Sequence, residues 1–327
     1  MADLTTQYMG FTLDNPIIVG SSGLTDSPSK VANLASNGAS AVVLKSIFEE
    51  QIMMEVDAQG VNNMYGSYPE TEGYVSFYTK KHNLDEYTRL IRDSKNEADI
   101  PIIASVNCIS SGDWVEYAKT IQNAGADALE LNVFILPGDP EFTSEQIEQV
   151  YFDVANKVTA LIDIPVAMKV SSFFSSMSRT LIDLSKTDIQ GMVMFNRFYS
   201  PDIDLNKEKV VSGHIYSVPE DNAQCLRWAG MLHGKMSCDI ACSNGIHNGE
   251  AALKNILVGA DAVEIASALY KNGASYIKTM LEDMNSWLDK KGYKSIQEIR
   301  GKLSQQAIKK PMIYERAQFM KYFSEHR

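Results

Sequence analysis

Cysteine is scarce. The 327 residues hold four, Cys108, Cys225, Cys238 and Cys242, and none forms a Cys-x-x-Cys pair. A disulfide framework, a zinc site and an iron–sulfur cluster all need more sulfur ligands at closer spacing, so free thiols in a reducing compartment and no metal are expected. Long apolar runs are missing too. Nothing approaches the ~20 consecutive residues that cross a bilayer. The opening Met1–Gly10 stretch lacks the basic and apolar segments of a secretion signal. A cytoplasmic protein with no membrane attachment is expected. Positive charge is in deficit, with 30 Lys and Arg against 41 Asp and Glu. The net charge of -11 argues against nucleic acid, which calls for a concentrated basic surface. What the chain does have is apolar residues, 45% of the total, enough for a large core.

Those apolar residues cluster in eight short runs: Pro16–Ser21, Ala41–Ser46, Pro101–Asn107, Ala128–Val133, Pro165–Val170, Gly191–Asn196, Ser237–Cys242 and Ala262–Ala266. Most are continuous rather than alternating, the pattern of parallel strands covered on both faces. Amphipathic stretches of helical length lie between them, among them Ser29–Asn37, Trp114–Asn123, Ser144–Leu161, Glu220–Leu232, Gly249–Val258 and Ala274–Lys290. Three joints share one form, Asn37-Gly38-Ala39, Gly125-Ala126-Asp127 and Gly259-Ala260-Asp261, in which glycine closes a helix and small residues turn into a strand. Repeated βα units of this number predict one domain over residues 1–327, an α/β fold of the (β/α)8 or TIM barrel type, with an open doubly wound sheet as the rival. An extended loop is expected after the second strand, roughly Glu49–His82, as a lid, a pocket wall or a dimer contact. A second insertion, Phe198–Val218, follows the sixth strand, and short helices carrying Phe319, Tyr322 and Phe323 are expected at the C-terminus.

In such a barrel the residues at the C-terminal strand ends share one mouth. Here they are Ser21, Ser22, Lys45, Ser46, Asn107, Asn132, Lys169, Asn196, Arg197, Ser243, Asn244 and Ser267. Strands seven and eight end in Ser243-Asn244-Gly245 and Ala266-Ser267, the place where these barrels commonly bind phosphate; a plain tight turn with a serine helix cap is the alternative. Lys45 and Lys169 each follow apolar residues, where a cation calls for an anion or a salt-bridge partner. The asparagines can donate and accept at once, which suits a planar amide or imide. Glu130 lies on the same strand face as Asn132 and is expected beneath the mouth. His214 and Cys108 are candidate proton-handling groups, and His247 reads as a helix-start residue.

The ordered set of motifs resembles the dihydroorotate dehydrogenase family, especially its soluble class 1 members, and the FMN domain of dihydropyrimidine dehydrogenase. The matching pieces are Asn15-Pro16, Gly20-Ser21-Ser22-Gly23, Leu44-Lys45-Ser46, Glu130-Leu131-Asn132, Met168-Lys169, Asn196, Asn244-Gly245-Ile246 and Gly259-Ala260 through Ala268-Leu269. The resemblance implies non-covalently bound FMN and hydride exchange with a small cyclic amide or pyrimidine-like substrate. It places Lys45 near flavin and substrate, Asn132 at the substrate or flavin edge, Lys169 on the flavin ring and Asn196 on the substrate. The backbone around Asn244-Gly245 and Ala266-Ser267 would hold the phosphate, and a homodimer is implied.

The substrate side departs from the family pattern. Ile135 stands where the family has its cysteine or serine base, and Pro137 where it has a substrate-binding asparagine. A tyrosine-rich stretch, Asn63–Tyr78, replaces another family motif, and Arg197 occupies a usual serine position. Isoleucine cannot take a proton. Cys108, His214, Ser171 and Ser172 are the candidate replacements. A flavin-binding protein without dihydroorotate activity and a non-flavin phosphate-ligand barrel, with Lys169 as a Schiff-base lysine, stay open as alternatives.

Overall fold

The structure, a computed structural model, describes residues 1–48, 69–107, 113–198 and 200–315. An antiparallel hairpin comes first, β1 (Thr6–Tyr8) and β2 (Phe11–Leu13). Eight parallel strands then close into a ring: β3 (Ile17–Val19), β4 (Ala41–Val43), β6 (Ile102–Asn107), β7 (Ala128–Asn132), β8 (Val166–Val170), β9 (Gly191–Met194), β12 (Asp239–Ser243) and β13 (Ala262–Ile265). β13 returns to pair with β3, and β4 pairs with β6. The two-residue β5 (Ile47–Phe48) continues the line of β4 along β6. Seven ring strands fall inside the expected apolar runs and β12 extends one residue past its run, to Ser243; the barrel, not the open sheet, is the fold.

Helices α1 (Pro28–Ser36), α2 (Pro69–Glu97), α3 (Asp113–Ala124), α4 (Ser144–Thr159), α5 (Met177–Leu184), α6 (Asn222–Leu232), α7 (Gly249–Val258), α8 (Ser267–Asn272) and α9 (Tyr276–Lys291) follow in chain order. Their boundaries have local causes. Thr143 accepts the amide of Gln146, whose side chain returns to the Thr143 amide, so α4 starts on a capping box. Asn248 caps α7 through the Ala251 amide. Gly38, Gly125 and Gly259 take φ of 99°, 94° and 122°, the left-handed region the three joints require.

The aspartates of those joints do further work. Asp127 accepts the Ile102 amide at 2.7 Å, and Asp261 accepts the Ile240 amide at 2.9 Å. Each carboxylate thus pins the start of the neighbouring strand. The hairpin β1–β2 closes this same end. Tyr8, Met9 and Leu13 are buried against Ile18, Val43, Ile103 and the small inward residues Ala41, Ala128, Ala167, Ala241 and Ala262. A Cβ on Gly191 would stand 2.9 Å from Met9 and Tyr8, so glycine there makes room for the plug. The outer core lies between strands and helices.

One reading changes. The stretch after the second strand is not loop throughout: from Pro69 it is the helix α2, and the remainder, including Asn63 and Tyr65, lies outside the described residues. Phe319, Tyr322 and Phe323 also lie outside them. The Phe198–Val218 insertion contains a second hairpin, β10 (Pro201–Asp204) with β11 (Lys209–Ser212). Among the described residues no helix is long and apolar enough to cross a membrane.

Candidate functional site

The strand C-termini open into one cavity of about 950 Å³, within the size range of small-molecule sites. Its polar side is built from β3 and β13, with Gly20, Ser21, Glu264, Ala266 and Ser267, and from the end of β12, with Ser243, Asn244 and Gly245. Asn107, Asn132, Lys169 and Asn196 come from the ends of β6, β7, β8 and β9. These expected mouth residues do meet in one place. A Cβ on Gly245 would lie 2.2 Å from the Asn222 amide nitrogen, so the start of α6 already demands this glycine.

Other expected residues stand off the lining. Ser46 lies behind it: its hydroxyl is 2.9 Å from Ser21 Oγ and 2.7 Å from Ser105 Oγ, and its amide donates to Ser21 Oγ. Tyr87 continues this string by accepting the Ser105 amide and donating to the Ser105 carbonyl. Ser22 donates to the Gly20 carbonyl. Lys45 is exposed, with its amide on the Thr25 carbonyl, and does not line the cavity. His214 is exposed in the insertion, where its carbonyl accepts from Arg197. Cys108 lies outside the described residues. Cys238 and Cys242 are poor nucleophiles, since burial pushes the Cys238 thiol up to about 12 and raises Cys242 well above its ordinary value.

Beneath the mouth sits a buried charge cluster. Lys169 Nζ donates to Glu264 Oε2 at 2.6 Å, and their side chains are 14% and 2% exposed. Glu130 is buried beside them, and its Oε1 has no hydrogen-bond partner. Burial, then the charge of Glu264, raises the Glu130 carboxyl well above the carboxylate range against the opposing pull of Lys169. Burial acts to lower the Lys169 ammonium, yet the two glutamates outweigh it and the net shift is upward. The arrangement favours a charged, paired Lys169 and disfavours the ionised form of Glu130. Tyr8 approaches from the plug; burial and then the charges of Glu264 and Glu130 raise its phenol. Glu264 is the residue that sequence reading missed. A glutamate inside the apolar run Ala262-Val263-Glu264-Ile265 was the available signal, because a buried carboxylate requires a partner.

Two asparagine contacts and one open acceptor mark the cavity walls. Asn196 Nδ2 donates to the Val133 carbonyl at 2.7 Å, and Asn244 Nδ2 to the Phe195 carbonyl at 2.8 Å. Asn132 Oδ1 is buried without a partner on the cavity lining. Arg197 donates to the carbonyls of His214, Ile215 and Tyr216 and faces Asp221, which draws the insertion against the cavity. Ser217 is held by Ser267 Oγ and lies 3.1 Å from His247 Nε2. Burial, then the charge of Lys271, lowers the His247 imidazole. Among the described residues no group of acidic, histidine and cysteine side chains could hold a metal ion.

Residues 3–288 match the family described as dihydroorotate dehydrogenase. The chain is similar to the catalytic subunit of dihydroorotate dehydrogenase B (NAD(+)) from Thermoplasma acidophilum, 27% identical over 92% of this chain and 99% of that one. It is similar to the corresponding subunits from Thermoplasma volcanium, at 25% over 92% and 98%, and Pyrococcus furiosus, at 26% over 90% and 97%.

Proposed function

Because the chain belongs to the dihydroorotate dehydrogenase family, we propose that it is an FMN-dependent oxidoreductase acting on a small cyclic amide or pyrimidine-like substrate. The observation that carries the reading is the buried, partnerless Asn132 Oδ1 beside Lys169 in a cavity built from strand C-termini. A buried acceptor left open in this way calls for a donor from a ligand. An isoalloxazine or pyrimidine ring has the required imide N–H. A bound flavin would supply a ring that takes up and returns two electrons by hydride transfer with the substrate.

The chain's own residues divide the task. The backbone at Asn244-Gly245 and Ala266-Ser267 would receive the phosphate, with Ser21 and Ser243 beside it. Lys169, charged and held by Glu264, would face the polar edge of the ring, and Asn107 would flank it. Asn196, fixed by its bond to the Val133 carbonyl, would present its remaining oxygen to the substrate. Lys45 and His214 lie off the cavity lining and take no part in this reading. Ile135 offers no base at the position where the family resemblance expects one, so turnover of dihydroorotate itself is not part of this proposal. The untagged protein should show a flavin spectrum, or develop one on adding FMN and removing the excess. A protein that neither carries nor retains FMN sinks the reading.

A further inference from the structure

We infer that the substrate part of this cavity takes an uncharged ring with an apolar substituent, and not the carboxylate-bearing ring implied by the family name. The inference rests on the FMN reading above. One wall of the cavity is almost wholly apolar. Val133, Phe134 and Ile135 from the chain after β7 face Phe142, Ile147 and Val150 from the approach to α4 and its first turns. Phe134, Phe142 and Val150 are 41%, 56% and 39% exposed although they line a concave surface. Apolar side chains gathered in a cleft and left uncovered mark a place for an apolar occupant.

Charge points the same way. A carboxylate desolvated in a cleft needs a cation free to meet it. Among the described residues only Lys169 and Arg197 are cations that line this cavity. Lys169 is 2.6 Å from Glu264, with Glu130 beside it, so the floor has no positive charge to spare. Arg197 spends its donors on the carbonyls of residues 214–216 and its charge on Asp221, 3.8 Å away. Gln146 is the polar group that the apolar wall carries, and its side-chain oxygen accepts the Thr143 amide in the helix cap. The open acceptor of Asn132 suits an amide N–H and repels a carboxylate.

Orotate and 6-phenyluracil test this directly, because they carry a carboxylate and a phenyl group on the same carbon of one ring. FMN content is read first from the visible spectrum. Absence of FMN ends the previous reading and this one with it, and is a different result from any titration outcome. With FMN bound, flavin difference spectra are titrated with each compound. The expected result is a dissociation constant for 6-phenyluracil lower than that for orotate by about tenfold or more. Orotate binding as tightly, or no response to 6-phenyluracil, overturns the inference. Phe142→Lys supplies the missing cation on an exposed side chain. It should reverse the preference, tightening orotate by about tenfold and weakening 6-phenyluracil. An unchanged order in this variant overturns the assignment of the wall.

Discussion

The two ends of the barrel use the same strands for opposite purposes. At the N-terminal end the strand starts are held and the bore is filled from within the chain, although the buried Tyr8 hydroxyl has no hydrogen-bond partner. Asp127 and Asp261 hold neighbouring strand amides, and Asp239 accepts the Met9 amide at 2.8 Å. Tyr8, Met9 and Leu13 fill the bore. At the C-terminal end demands are left open: Asn132 Oδ1 has no partner, Phe142 is exposed, and Phe134 stays part-exposed although it stacks on Phe198. The closed end carries stability and the open end carries binding, as in barrels generally. The charge cluster of Glu130, Lys169 and Glu264 lies between them and touches both, since Tyr8 feels it from below and the cavity from above.

The sharpest way to break this division is to strip Lys169 of its counter-ion. Glu264→Ala leaves a cation that is 14% exposed without its 2.6 Å partner, with Glu130 as the remaining neighbouring carboxyl, and should cost about 3 kcal/mol in urea unfolding. A cost below about 1 kcal/mol would show the pair to be solvated. Leu13→Ala attacks the plug alone. A loss of about 3 kcal/mol is expected, with the FMN affinity of the folded protein unchanged; a fall in affinity would mean that the plug shapes the mouth. Asn132→Ala does the reverse. It should weaken FMN or pyrimidine binding by about tenfold, which is about 1.4 kcal/mol, while the urea midpoint of the ligand-free protein holds. A destabilised ligand-free protein would show that the oxygen has a structural partner.

The smallest effect separates by pH. Glu130 is raised in the folded chain, so its contribution is fully present below the unfolded carboxyl value of about 4.3 and is lost as pH rises through the folded value. Glu130→Gln keeps the neutral form at every pH. Its stability relative to the parent should therefore improve as pH climbs above that lower limit, and parallel curves would argue that Glu130 is ionised in the fold.

The sequence showed the ring of strands because buried parallel strands are apolar throughout, and Gly38, Gly125 and Gly259 marked where helices end. The polar mouth was legible for the same reason, as the first polar residues after each run. The plug was not: strands of three residues, Thr6–Tyr8 and Phe11–Leu13, are too short for periodicity, and only Met9-Gly10 hinted at a tight hairpin turn. Helix α2 hid behind Gly73 and a run of aromatics, although Leu84, Tyr87, Ile91 and Ser94 are buried at helical spacing. Partners distant in sequence were illegible in principle. Nothing local joins Lys169 to Glu264, or Arg197 to the carbonyls of the insertion it holds.

The plug also sets an order of assembly. The hairpin precedes every ring strand in the sequence, yet its seat includes Gly191 and Asp239, on strands that come much later. Tyr8 and Met9 must therefore wait, solvent-exposed, until residues as far as Asp239 have been synthesised and the ring has begun to close. The cork is made before the bottle it closes, and can be fitted only once the bottle exists.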